Sequence, residues 1–108
     1  MAGNLGFDAL KAAVSERTAA LLITNPEDTG IFNPRIAEFV RVVHEAGGLC
    51  AYDQANANGI LGITRAREAG FDLCHFNLHK TFGTPHACGG PAVGAIAVTG
   101  ALARHLPA

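Results

Sequence analysis

Residues 19–30 read Ala-Ala-Leu-Leu-Ile-Thr and then Asn-Pro-Glu-Asp-Thr-Gly, and the fold turns on how that passage is understood. An apolar run of this length, without polar alternation and bounded by turn formers, is the pattern of a strand buried on both faces of a parallel sheet. Asn25, Pro26, Asp28 and Gly30 crowd the residues after it. Each supplies a backbone geometry that strands and helices avoid, so 25–30 is a loop. Downstream, Pro34 suits a first helical position behind Asn33 as N-cap. Ile36, Phe39, Val40 and Val43 then recur at the spacing of one buried helical face, and Gly47-Gly48 supplies the stop. Upstream, Leu10, Ala13 and Val14 share a face of a short helix over 7–14 that ends before Ser15-Glu16-Arg17.

The same alternation continues toward the C-terminus. Leu49–Tyr52 predicts a second strand leading into Asp53, and small and polar residues follow as far as Gly62. A helical turn is expected over Thr64–Ala69, closed by Gly70, then a third strand over Phe71–Leu78. A loop rich in glycine and proline spans Gly83–Gly94, and it leads to a fourth strand over Val93–Val98 and a short helix over Ala101–Leu106. Strands alternating with helical segments predict an α/β fold with a mainly parallel sheet joined by right-handed crossovers. In such sheets ligands collect at the carboxyl ends of the strands. That rule selects Thr24-Asn25, Tyr52-Asp53 and Asn77-Leu78-His79-Lys80 before anything else is known.

Composition bounds the classes of function. The chain has 108 residues, of which 49% are hydrophobic and 16% charged, too apolar for a disordered segment. No run approaches the roughly 18 apolar residues that a membrane-spanning helix needs. Eight Lys+Arg against nine Asp+Glu leave a formal charge of -1, so no global field favours nucleic acid or an anionic membrane surface. Cys50, Cys74 and Cys88 are odd in number and form no Cys-x-x-Cys pair, which suits reduced thiols in a cytosol-like compartment. Met1-Ala2-Gly3-Asn4 has neither the basic nor the apolar region of a signal peptide.

The strand ends carry the chemistry. Lys80 follows a largely apolar strand, and desolvation there would favour a neutral amine able to form a Schiff base with an aldehyde; a plain surface lysine is the competing reading. Asp53 can hold a heteroaromatic ring nitrogen protonated, or merely cap the next turn. His79 can serve a phosphate or a ring, or be an ordinary satisfied polar group. His75, His79, His86 and Cys88 match no zinc spacing, although 75 and 79 would share a strand face, so no metal is expected. Gly89-Gly90-Pro91 is neither a dinucleotide fingerprint nor a Walker loop.

The run Ala51-Tyr52-Asp53-Gln54-Ala55-Asn56, then Asn77-Leu78-His79-Lys80-Thr81-Phe82 with Pro85-His86 and Gly89-Gly90-Pro91, closely resembles the P-protein family of the glycine cleavage system. These are the pyridoxal-phosphate-dependent glycine decarboxylases. Leu22-Ile23-Thr24-Asn25-Pro26, Gly30-Ile31-Phe32 and Val43-His44-Glu45-Ala46-Gly47-Gly48 fit the same pattern, so the resemblance covers nearly the whole chain. It implies fold type I, the aspartate-aminotransferase-like architecture, with residues 1–108 one segment of the large pyridoxal 5'-phosphate-binding domain and incomplete at both ends. Lys80 is then the Schiff-base lysine, Asp53 the partner of the pyridinium nitrogen and Ala55 a residue against one ring face. His79, Asn25 and Asn77 would be further cofactor contacts.

The implied activity is decarboxylation of glycine with transfer of the aminomethyl group to the lipoyl group of H-protein. Implied partners are glycine, lipoylated H-protein and a complementary P-protein subunit or the remainder of the chain, without nucleic acid or membrane. The location would be cytoplasmic in a bacterial-type protein and the mitochondrial matrix in a eukaryotic one. The sequence departs from the family pattern at Gln54, where glycine is usual, and at Ala87, Cys88 and Ala92 in the glycine-rich loop. A relative acting on another amino acid or acceptor, and a non-catalytic α/β binding module, are the alternatives.

Overall fold

The computed structural model describes residues 6–86 and 88–107; the readings on Met1–Asn4 and Ala87 fall outside them. Eight elements follow in order: α1 (Phe7–Ala13), β1 (Ala20–Thr24), α2 (Ile36–Glu45), β2 (Leu49–Asp53), β3 (Leu73–Asn77), α3 (Leu78–Thr81), β4 (Gly94–Val98) and α4 (Gly100–Ala103). One sheet of order β1-β2-β3-β4 results. β1 pairs with β2 and β2 with β3 in parallel, with Thr24 opposite Asp53 and Asp53 opposite His75. β4 runs antiparallel to β3, Leu73 facing Val98 and Asn77 facing Gly94. The α/β reading and the mainly parallel sheet therefore hold, and the sheet is mixed.

Two expectations change. The connection from β2 to β3 contains no α-helix: hydrogen-bonded turns at 57–61 and 65–70 cover the sheet instead, with Leu61 N–H donating to Ala57 O at 2.9 Å and Glu68 N–H to Arg65 O at 3.0 Å. The expected turn at 64–69 is thus only a single turn. Two glycines, Gly62 and Gly70, both at positive φ, bound it and stop it from propagating. The third strand stops at Asn77 and a helical turn starts at Leu78, so His75 and His79 do not share a strand face.

α2 is more legible in the sequence at its end than at its start. The helix starts at Ile36 with Arg35 at its N-cap and no side-chain cap, two residues later than Asn33 and Pro34 predict; Asn33 Oδ1 instead accepts the Arg35 N–H at 2.9 Å in the turn that leads into the helix. At the other end Gly47, at φ 86°, donates to His44 O at 2.9 Å and Gly48 donates to Val43 O at 3.0 Å. That pair of bonds is a Schellman stop. The face between them buries Ile36, Phe39, Val40 and Val43. Three of these, Ile36, Val40 and Val43, join Cys50, Tyr52, Ala57, Ile60, Phe71 and Cys74 in the core, where the Tyr52 and Phe71 rings stack at 4.4 Å. Asp72 staples the amino edge of the sheet, its Oδ2 accepting the Cys50 N–H at 2.7 Å and the His44 Nε2 proton at 2.8 Å.

The core lies on one face of the sheet only. Side chains alternate along a strand, and the set Cys50, Tyr52 and Cys74 is buried beneath α2 and the 57–71 turns, whereas Leu22 is 72% and Ile96 58% exposed on the opposite face. β1 is therefore an edge strand with one open face, not a strand buried on both.

Candidate active site

Parallel pairing brings the carboxyl ends of β1, β2 and β3 to one edge, so Thr24, Asp53 and Asn77 emerge together. An open cleft of about 470 Å³ lies there, lined by Thr24, Glu27, Asp28, Asp53, Ala55 and Lys80 among others. A second cleft, about 420 Å³ between Ala66, Phe71, Cys74 and Thr99, lies at the amino end of β3. The first holds the groups that can do chemistry: an amine, three carboxylates and a hydroxyl.

Asp53 closes β2 and folds into a side-chain turn, Oδ1 accepting the Ala55 N–H at 2.9 Å. That bond orients the carboxylate and leaves Oδ2 without a hydrogen bond among the described residues. The next residue, Gln54, is buried and shares its face with Cys50 and Tyr52, over the core and away from the cleft. A side chain in place of the usual glycine therefore does not enter the cleft.

Lys80 sits in α3, the helical turn that follows β3 directly, and is exposed. Two hydrogen bonds tie that turn to the Asp53–Ala57 loop. Asn77 N–H donates to Ala55 O at 3.2 Å, and Ala57 N–H donates to Thr81 Oγ1 at 2.8 Å. The lysine and the aspartate, 27 positions apart in sequence, are thus held by short links across the same edge. Sequence reasoning misses Thr81. Its only signal is a hydroxyl beside the lysine, and the donor it serves belongs to a loop 24 residues away.

The other expected residues are placed differently. Asn25 is buried, and both ends of its amide are taken by Asn33: Oδ1 accepts the Asn33 N–H at 2.8 Å and Nδ2 donates to Asn33 O at 3.2 Å. The Tyr52 hydroxyl donates to the Asn25 carbonyl. Asn25 thereby clamps the β1–α2 loop from beneath the cleft. Asn77 Oδ1 accepts from His75 Nε2. His79 Nδ1 donates to Val93 O at 3.2 Å, and its ring meets His86 edge-on at 4.6 Å, on the side of the 83–93 loop. Lys80, Asp53 and Ala55 line the cleft; His79, Asn25 and Asn77 lie around it. Thr24, Glu27 and Asp28 also line it, and of these the sequence marks Glu27 and Asp28 only as turn residues.

The buried thiols take no part. Burial and the nearby Asp72 carboxylate push the Cys50 thiol up to about 11, and burial raises Cys74 as well. Neither is poised as a thiolate nucleophile at neutral pH. No helix among the described residues is long and apolar enough to cross a membrane.

No family model matches the chain. Individual proteins do. It is 52% identical over 105 residues to a protein of Nitrosomonas eutropha and to one of Pyrococcus furiosus, and 51% identical to one of Halobacterium salinarum. Each carries the name "Probable glycine dehydrogenase (decarboxylating) subunit 2". Each match covers 97% of this chain but only 21–22% of the relative. The resemblance carried by the Asp53 and Lys80 segments is thus matched by relatives from several organisms, and this chain is similar over nearly its whole length to about a fifth of the length of proteins named glycine dehydrogenase (decarboxylating) subunit 2.

Proposed function

We propose that this chain supplies the lysine-bearing and aspartate-bearing part of a pyridoxal 5'-phosphate site, within a large domain of fold type I. The whole protein would decarboxylate glycine and pass the aminomethyl group to the lipoyl group of H-protein, working with a complementary subunit in a reducing, cytoplasmic compartment. The observation that carries this reading is the convergence of Lys80, Asp53 and Ala55 on one cleft at the carboxyl edge of the parallel strands.

The cleft suits the ring of the cofactor. Its volume lies in the range of small-molecule sites. It offers an amine for the aldehyde carbon, a carboxylate with an uncommitted oxygen for the ring nitrogen, and the methyl-sized side chain of Ala55. It suits the phosphate less well, because Glu27 and Asp28 oppose an anion there. Phosphate contacts are therefore assigned to groups beyond this cleft.

When bound, pyridoxal phosphate supplies an electron sink for cleavage of the bond between the substrate α-carbon and its carboxylate. Lys80 Nζ would hold the cofactor at its aldehyde carbon. Asp53 Oδ2 keeps a proton on the ring nitrogen, since an adjacent carboxylate favours the cationic form. The Ala55 N–H fixes that carboxylate, and Thr81 with Asn77 ties the lysine-bearing turn to the same loop.

The chain has two lysines, Lys11 and Lys80, which makes the test clean. After incubation with pyridoxal phosphate and reduction with borohydride, mass spectrometry is expected to find the adduct on Lys80 and little on Lys11. Equal labelling of the two would remove the specific role of Lys80. Glycine turnover by the 108-residue chain is expected to be negligible, because on this reading the phosphate is held by groups beyond a cleft that Glu27 and Asp28 make unfavourable to an anion.

A further inference from the structure

Three side chains that the cleft does not use meet at the opposite edge of the sheet. His44 lies in the last turn of α2, Cys50 is the second residue of β2, and Asp72 directly precedes β3. One donor atom of each, His44 Nε2, Cys50 Sγ and an Asp72 carboxylate oxygen, lies within 4.8 Å of the other two. None of His75, His79, His86 and Cys88 belongs to this set.

The backbone holds all three in place. The glycine stop at Gly47-Gly48 ends α2 and returns the chain into β2, with Gly48 N–H donating to Val43 O at 3.0 Å. Asp72 N–H donates to Cys50 O at 2.9 Å while Asp72 Oδ2 accepts the Cys50 N–H at 2.7 Å, so two bonds lock the aspartate to the cysteine. His44 Nε2 reaches the same oxygen at 2.8 Å. Cys50 is fully buried, whereas the His44 side chain is 37% and that of Asp72 18% exposed. The set is therefore closed around the thiol and reached by water at the imidazole.

Thiolate, imidazole and carboxylate together are ligands of zinc-type cations rather than of magnesium or calcium. In a tetrahedral zinc site such atoms stand about 3.3–3.8 Å from one another. His44 Nε2 and Asp72 Oδ2 are already closer than that, and the thiol needs to move by about 1.5 Å at most. A cation there also lies beside the C-terminal carbonyls of α2, which favour positive charge.

We propose that His44 Nε2, Cys50 Sγ and an Asp72 carboxylate oxygen form a binding site for a zinc-type divalent cation, with water as the fourth ligand. Binding breaks the Cys50 S–H bond and releases that proton to solvent. The imidazole carries its proton on Nδ1, and the cation takes the place beside Asp72 that the Nε2 proton held. Two anionic ligands then balance the divalent charge. The ion ties the end of α2 to β2 and β3, and the site rests on no assignment of Lys80 or Asp53.

The test titrates the reduced 108-residue chain, carrying no histidine tag, with cobalt(II) chloride and then with zinc chloride. Cobalt is expected to bind saturably and to give the near-ultraviolet absorption of a thiolate–cobalt bond, which zinc abolishes. Cys50→Ser should remove that absorption, and Cys88→Ser should keep it. His44→Gln, at an exposed position, should weaken cobalt binding by about tenfold or more, since even partners one shell further from a metal cost that much. Zinc should raise the unfolding midpoint of the parent chain and leave that of His44→Gln unchanged. Absence of the thiolate absorption, its loss in Cys88→Ser, or undiminished affinity in His44→Gln would each overturn the proposal. Should Cys50→Ser fail to fold, Cys88→Ser and His44→Gln decide the matter between them.

Discussion

At the scale of single residues, the site depends on neighbours that carry no chemistry. Thr81 Oγ1 takes the Ala57 N–H and so joins the lysine-bearing turn to the loop that carries Asp53. Thr81→Val keeps the shape and removes the acceptor, leaving a part-buried N–H unsatisfied; urea denaturation should register a loss of about 1–2 kcal/mol, restored by Thr81→Ser. The cysteines permit a second prediction. With its thiol pushed up to about 11, Cys50 should resist iodoacetamide at pH 8 in the folded chain, while the exposed Cys88 reacts. Because the folded state holds the Cys50 proton more tightly than the unfolded state, its contribution to stability is intact below pH 9 and declines as pH rises from about 9 to 11. A stability profile that rose across that interval would contradict the burial of this thiol. The sequence drew attention to Lys80 and Asp53 because strand ends collect ligands. It could not show Thr81, Glu27 or the clamping role of Asn25, since each depends on which backbone group lies opposite after folding.

Among the elements, α2 and its exit were the most legible, because the glycine stop and the buried face are local patterns, although the helix starts two residues later than Asn33-Pro34 predicts. Gly48 adds a constraint that is not local. A Cβ built there would lie 2.8 Å from Val43 Cγ1 and 3.0 Å from the Thr18 carbonyl oxygen. Gly48→Ala is expected to destabilise the fold by about 1–3 kcal/mol, as overpacking does, read as a lower denaturation midpoint. The segment between β2 and β3 was less legible. Its apolar residues Ala57, Ile60, Ala66, Ala69 and Phe71 do pack on the core, but no continuous helix carries them. Neither its burial nor its path was readable, since the residues up to Gly62 read as small and polar, and Gly62 and Gly70 cut the segment into turns too short to propagate a helix. The direction of β4 was also hidden. A strand's own residues do not encode whether it runs parallel or antiparallel to its neighbour, and here the 83–93 loop returns the chain against β3.

For the molecule as a whole, the asymmetry of the sheet dominates. One face is a packed core in which Val43 is 0% exposed, while Leu22 and Ile96 stand in solvent on the other. Val43→Ala should cost about 2–3 kcal/mol as a buried large-to-small change, whereas Leu22→Thr should lie within about 0.5 kcal/mol of the parent. Comparable losses for the two in thermal or urea unfolding would mean that the face bearing Leu22 is covered in solution. Taken by itself, the sequence determined the α/β class, the four strands and the helices α1, α2 and α4 near their observed places, and the resemblance to the glycine dehydrogenase (decarboxylating) proteins, because local periodicity, stop residues and the segments around Asp53 and Lys80 are properties of the chain order. Only the tertiary structure decided the antiparallel fourth strand, the single-sided core, and the division of polar residues between those that line the cleft and those that brace it. Those outcomes follow from which groups hydrogen bonding and packing bring together across long stretches of chain, and no local pattern specifies them.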